Sequence, residues 1–269
     1  MKEPENIGSV QPLNDSEGSV PKAPTPEEAT SENPDPIPPI LEGNLTRELL
    51  LVTPLYLLVP VLFAALALIW DIELEIGWIL LGAAGWLVAL FLRAPVSLIT
   101  QRLVSNKENI QKVVILSSGP AEELVRLIII LLTAANLDVA YAIGLGWGAI
   151  EVLYALVNGF LIASLLKRTD DEALQAKEVM EKMGLLRAGT KPLYGVVERL
   201  AVTALHIGFT LLLAFQPLLV LITIPVHSFI NYAFITMLRR RVPITIIMLL
   251  LLALGFIAYA LGLAAMGIP

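Results

Sequence analysis

Along most of this chain the apolar residues do not alternate with polar ones but run on without interruption. The first run, Leu49 to Trp70, is 22 residues without a charge. At about 1.5 Å per residue it reaches across a bilayer's hydrocarbon core of about 30 Å. Pro54 and Pro60 are candidate kinks within it. After the acidic link Asp71-Ile-Glu-Leu-Glu75, a second run extends from Gly77 to about Ile99, with Arg93 near its end. Further runs cover approximately 113–135, 138–166, 195–215, 217–238 and 242–266. Unbroken apolarity argues against a transmembrane β-barrel, whose strands alternate. The pattern predicts an all-α fold: a polytopic integral membrane bundle of about seven transmembrane helices over residues 45–269.

The polar segments between these runs carry their own pattern. Residues 1–44 hold nine of the 24 acidic residues in proline-rich sequence with almost no aromatics, which predicts a disordered cytoplasmic tail. No basic stretch precedes a short apolar core there, so the segment does not read as a cleaved signal peptide. The links at 71–76, 136–138 and 216–217 contain no Lys or Arg. The alternate links hold Arg93, Arg102, Lys107 and Lys112, then Lys167, Arg168, Lys177, Lys182, Arg187 and Lys191, then Arg239, Arg240 and Arg241. With seven spans all of these cations fall on one side, which places the N-terminus in the cytoplasm and the C-terminus outside. In the one sizeable loop, 167–194, Asp170-Asp171-Glu172 followed by Leu174, Val179, Met183 and Leu186 predicts an amphipathic surface helix.

Composition sharpens this reading. The chain is 57% hydrophobic and 16% charged, with a mean hydropathy of +0.78; soluble domains carry about 25% charged residues. The expected setting is therefore the lipid bilayer, as a multi-pass protein of the cell membrane. A net charge of −6 excludes a generally basic nucleic-acid binder. The absence of cysteine excludes disulfides, thiol nucleophiles and thiolate metal sites.

Against this background, few ionisable residues lie inside the predicted spans. They are Glu122, Glu123 and Arg126 in the third, Glu151 in the fourth, Glu198, Arg199 and His206 in the fifth, and His227 in the sixth. The strongest cases cost roughly 2.5–3.5 kcal/mol on insertion scales, so each calls for a reason. Both histidines of the chain are among them. Counting from the helix ends places Glu122, His206 and His227 at about one depth, with Glu151 similar. A polar cavity in the bundle is expected there. Glu122 and Arg126, at i,i+4, are expected to pair, with Glu123 turned about 100° away toward another partner. His227 and Asn231 share a stripe, as do Arg199 and His206, while Glu198 lies nearer the cytoplasmic entrance. Polar residues also glue membrane helices together, and any one of these could do only that. Gly144, Gly146 and Gly148 before Glu151 predict close helix approach.

At these residues the chain resembles a known group. Glu122-Glu123-x-x-Arg126, a helix with a central His206, and His227-x-x-x-Asn231 look like the intramembrane protease clade that contains the CAAX prenyl endopeptidases (Abi family), PrsW and YhfC. Gly146-Trp-Gly-Ala-Ile-Glu151 and Glu198-Arg199 ahead of Leu205-His206-Ile207 are most similar to the YhfC branch, and Trp147 stands where that branch often has a histidine. The resemblance covers roughly residues 110–240. It implies a peptidase acting on a membrane protein or a lipidated peptide. Glu122 would be the base, His206 would orient the water, and His227 with Asn231 would stabilise the oxyanion, with Glu123 and Arg126 in the same site and Glu151, Glu198 and Arg199 supporting. An alternative within the resemblance is zinc held by His206, His227 and a carboxylate; the leading expectation requires no cofactor. The clade also includes the non-proteolytic Aph scaffold subunit of γ-secretase, so a cavity that holds a partner helix is the second expectation.

Overall fold

A computed structural model describes residues 40–182 and 191–268. The acidic tail as far as residue 39 and the loop residues Met183, Leu186 and Arg187 lie outside the described residues. Among the described residues the structure is helical, with no strand. The helices are α1 (Ile40–Ile69), α2 (Ile76–Leu103), α3 (Lys107–Leu116), α4 (Ser118–Thr133), α5 (Leu137–Lys167), α6 (Asp171–Lys182), α7 (Pro192–Phe215), α8 (Val220–Arg239) and α9 (Ile244–Ala265). Six stretches are long and apolar enough to cross a membrane: 46–69, 76–103, 137–167, 192–215, 217–239 and 244–265. Large apolar residues such as Leu51, Leu68, Phe91, Leu161, Leu221 and Leu249 line their outer faces, exposed. Apolar surface on that scale belongs against lipid.

Two boundaries differ from the expected ones. The described part of the first helix reaches back to Ile40, inside the segment read as tail. The run read as one span over 113–135 breaks at Ser117 into α3 and α4. At 16 residues, α4 is about 24 Å long. It carries three buried charged residues, so its length and composition set it apart from the six apolar helices.

Local chemistry explains the other ends. Ala134 closes α4 in the left-handed conformation (φ 47°), and Asn136 caps α5 by accepting from the Val139 amide at 3.0 Å. Pro192 opens α7 at its first turn. Asp170 caps α6 through the Ala173 amide at 3.2 Å, and Lys177 of α6 donates to the Leu166 and Arg168 carbonyls at the end of α5, both at 2.7 Å. Thus α6 is tied to the end of α5, with Leu174 and Val179 exposed on its surface.

The bundle is arranged around α7, which packs on α9, α5 and α1. In its most apolar stretch 67% of residues are buried, against 22% in α1, α2 and α5. α5 makes close approaches on two sides. A side chain at Gly146 would strike the Ile79 backbone of α2, and one at Gly144 would strike Ile207 of α7. Away from the charged residues, the Tyr141 hydroxyl donates to the Phe63 carbonyl and accepts from the Tyr259 hydroxyl, each at 2.8 Å, joining α5, α1 and α9.

Candidate functional site

The turn from α3 into α4 brings the site together. Ser228 of α8 donates to the Leu116 carbonyl at 2.8 Å, and the Asn231 side-chain amide donates to the Ser118 hydroxyl at 2.7 Å. α8 is thereby stitched to the start of α4, facing Glu122, Glu123 and Arg126 one turn further on. All three are buried, as are His206 and His227.

From Arg126 outward the contacts form a continuous chain. One end of its guanidinium pairs with Glu123, and the other donates to His206 Nδ1 at 2.8 Å. The cation also stacks over the Trp147 ring, 4.5 Å from its centre. His206 Nε2 lies 2.5 Å from Glu151 Oε2, and the other Glu151 oxygen takes Arg199 at 2.9 Å. Arg199 in turn holds Glu198 at 2.7 Å. On the α8 side, His227 Nδ1 lies 2.7 Å from Glu123 Oε1. Glu122 pairs with Arg93 of α2, accepts from the Trp147 indole at 3.0 Å and lies 3.8 Å from His227 Nε2. Five helices thus contribute charged or titratable side chains to one network.

The network fixes protons on chemical grounds. Arg126 can only donate, so His206 Nδ1 accepts and the ring proton sits on Nε2, donated to Glu151. Both His206 nitrogens are committed. His227 donates from Nδ1 to the Glu123 carboxylate, leaving Nε2 directed at Glu122 across a gap too long for a direct hydrogen bond. The second oxygen of Glu123 is buried and has no hydrogen-bond partner among the described residues.

Several sequence expectations are met in placement and altered in pairing. Glu122, Glu123, Arg126, Glu151, Glu198, Arg199, His206 and His227 do come together. The expected Glu122–Arg126 pair does not form: Arg126 takes Glu123, three residues before it, while Glu122 is drawn to α2 and α5. Both spacings put two residues on one helix face, so the third partner decides. Asn231, expected beside His227 as an oxyanion donor, directs one of its amide N–H groups to the Ser118 hydroxyl. Arg93, counted among the loop cations, lies inside α2 and is an unforeseen member of the site. Trp147 is another.

The donor set does not suit zinc. Among the described residues no three His, Asp or Glu side chains converge on a point where a metal would sit. His206 has no free nitrogen, and the guanidinium of Arg126 lies against the same ring.

An apolar cavity of about 350 Å³ opens between α8 and α9, lined by Ile230, Phe234 and Met237 against Ile247, Leu251 and Leu254. Ile230 and Phe234 are three and seven residues after His227, on nearly the same face of α8. Comparison with family models, characterised proteins and solved structures returns no match to this chain. The functional reading therefore rests on the geometry of the site.

Proposed function

We propose that the protein is a seven-span membrane protein with its N-terminus in the cytoplasm, α4 being the short seventh crossing. On this reading it is an endopeptidase that hydrolyses a peptide bond of a membrane-associated protein within the bilayer. The observation that carries the reading is the 3.8 Å gap between Glu122 and His227 Nε2. One water oxygen fits within about 2.8 Å of both atoms. Glu122 takes a proton from that water as its oxygen attacks the peptide carbonyl carbon. The proton is then returned to the departing amine nitrogen as the C–N bond breaks. Glu123 holds the His227 ring through Nδ1, as a carboxylate orients a catalytic imidazole in other hydrolases. The Arg93 side chain, 24% exposed, has room to withdraw from Glu122 when substrate enters. The cleft between α8 and α9 provides an apolar segment with a route to the same face of α8.

A second reading is a scaffold whose polar centre serves assembly. It is favoured by the groups already engaged within the site: both oxygens of Glu122 and Glu151 and both nitrogens of His206 have partners.

Cleavage of a transmembrane reporter by the purified chain in proteoliposomes separates the two. Glu122→Gln should lower the rate by at least 10²-fold, the low end for a removed general base. Undiminished cleavage by that variant removes Glu122 from the role. A wild type without turnover, but with a co-purifying membrane partner lost on His227→Ala, establishes the scaffold.

A further inference from the structure

The two oxygens of Glu122 are served from different sides. Oε2 accepts from the Trp147 indole, while Oε1 pairs with Nη2 of Arg93 and faces His227 Nε2 across the 3.8 Å gap. Arg93 on α2 and His227 on α8 are therefore neighbours of one and the same oxygen. A water that fills the gap is the third.

Arg93 is not used up by this pair. A guanidinium carries five N–H donors in a planar fork. Arg126 divides its donors between Glu123 and His206, and Arg199 between Glu151 and Glu198. Among the described residues Arg93 has Glu122 alone, and its Nε is enclosed without a hydrogen-bond partner. The Nε atoms of Arg126 and Arg199 are unpartnered too, but each of those cations already bridges two groups. The Arg93 side chain is also the most accessible of the three, 24% exposed against 0% for Arg126 and 11% for Arg199.

Peptide hydrolysis at this place needs such a donor. As the water gives its proton to Glu122 and its oxygen bonds to the carbonyl carbon, the carbonyl π pair moves onto the carbonyl oxygen. Negative charge leaves the carboxylate and appears on the substrate. Asn231 directs an amide N–H to Ser118, and both nitrogens of His206 are committed. Arg93 and the attacking water are both first neighbours of Oε1, so the attacked carbonyl lies within reach of the guanidinium. A cation already standing between the place that loses charge and the place that gains it stabilises the transition state with little reorganisation.

We infer that Arg93 is a catalytic residue, which passes a hydrogen bond from Glu122 to the substrate's carbonyl oxygen and stabilises the oxyanion. When the intermediate collapses, the proton on Glu122 goes to the amine nitrogen, the C–N bond breaks and Arg93 returns to the carboxylate. This inference rests on the peptidase reading of the site.

The test uses the full chain in proteoliposomes with the transmembrane reporter. A wild type without turnover, or a Glu122→Gln variant that cleaves undiminished, removes the peptidase reading and this inference with it. Where wild type cleaves and Glu122→Gln does not, Arg93→Gln decides. Its kcat should fall by about 10²-fold or more with KM unchanged, the loss typical of one oxyanion donor. A peptide phosphonate built on the reporter's cleavage site mimics the tetrahedral anion. Its inhibition constant should rise by the same factor as kcat/KM falls. Wild-type kcat in Arg93→Gln, or a rise confined to KM, overturns the inference and leaves the peptidase reading standing. Arg93→Lys keeps a positive charge beside Glu122 but not the fork, and its kcat should fall by about tenfold or more. Full activity in that variant would assign Arg93 to holding the carboxylate and overturn the inference. If Arg93→Gln does not fold, Arg93→Lys decides alone by kcat and by phosphonate binding, and no change in either refutes the role.

Discussion

Removing Arg126 is the most informative single change to the buried network. Its side chain and that of Glu123 are both fully inaccessible, and it serves Glu123, His206 and the Trp147 face at once. Arg126→Leu approximates the stem but strands the Glu123 carboxylate with only His227 as a donor, and it leaves His206 Nδ1 without one. Breaking a buried ion pair from one side destabilises by about 3–5 kcal/mol, because an uncompensated charge remains. For a chain of this size, with about 2–4 °C per kcal/mol, that predicts a fall in Tm of roughly 6–20 °C.

The second half of the test is Glu123→Gln in the Arg126→Leu background. It removes the stranded charge while keeping an acceptor for His227. The double variant should therefore be more stable than Arg126→Leu alone, with a coupling of about 1–3 kcal/mol. Thermal unfolding of the full chain in one detergent, followed by intrinsic tryptophan fluorescence, measures all four members of the cycle. A fall of less than about 2 °C in the single variant, or a double variant no better than it, would refute the claim that this pair is buried and mutually compensating.

Two further predictions follow from the fold. Gly146→Leu should separate α5 from α2 and lower Tm by several degrees, since the new side chain would strike the Ile79 backbone; an unchanged melting curve would contradict the close approach. Asp170, held below its usual titration range chiefly by its hydrogen bond to Arg168, caps α6. A depressed carboxylate contributes stability above its unfolded-state pKa of about 4 and loses it as pH falls through the lower folded value. Proteolysis within 168–182 should therefore be constant from neutral pH down to that range and rise only below it. Asp170→Asn should abolish the acid-dependent rise.

The spans were legible because nothing competes with a long uncharged run in lipid. The members of the buried network were legible for the complementary reason: a charge placed inside such a run must find a partner. The partners themselves were not. Glu123 and Arg126 at i,i+3 and Glu122 and Arg126 at i,i+4 are equally good helix neighbours. Arg93 and Trp147, 29 and 25 positions from Glu122, settle the choice. Arg93 stands inside the second run, near its end, and was counted with the loop cations that follow it; in the structure it lies within α2 and pairs with Glu122. The division of the third run did leave a mark in the sequence. Ser117-Ser118-Gly119-Pro120 is a helix-start signal, with small polar residues ahead of a proline in the first turn. Counting apolar positions across the run passed over it.

The two histidines illustrate what a residue list leaves out. In sequence they are equivalent: each lies mid-span at a similar depth. In the structure His206 is clamped on one side by a donor-only guanidinium and on the other by a carboxylate, which fixes its tautomer and leaves no nitrogen for a substrate, water or metal. It acts as a rigid strut between α4 and α5. His227 is clamped on one side only, so Glu123 fixes its orientation while Nε2 stays directed at Glu122. A group that is held in place yet keeps one valence open is the arrangement proton transfer requires. This asymmetry shifts the proposed chemistry from His206, where the resemblance had placed the orientation of water, to the Glu122–His227 pair.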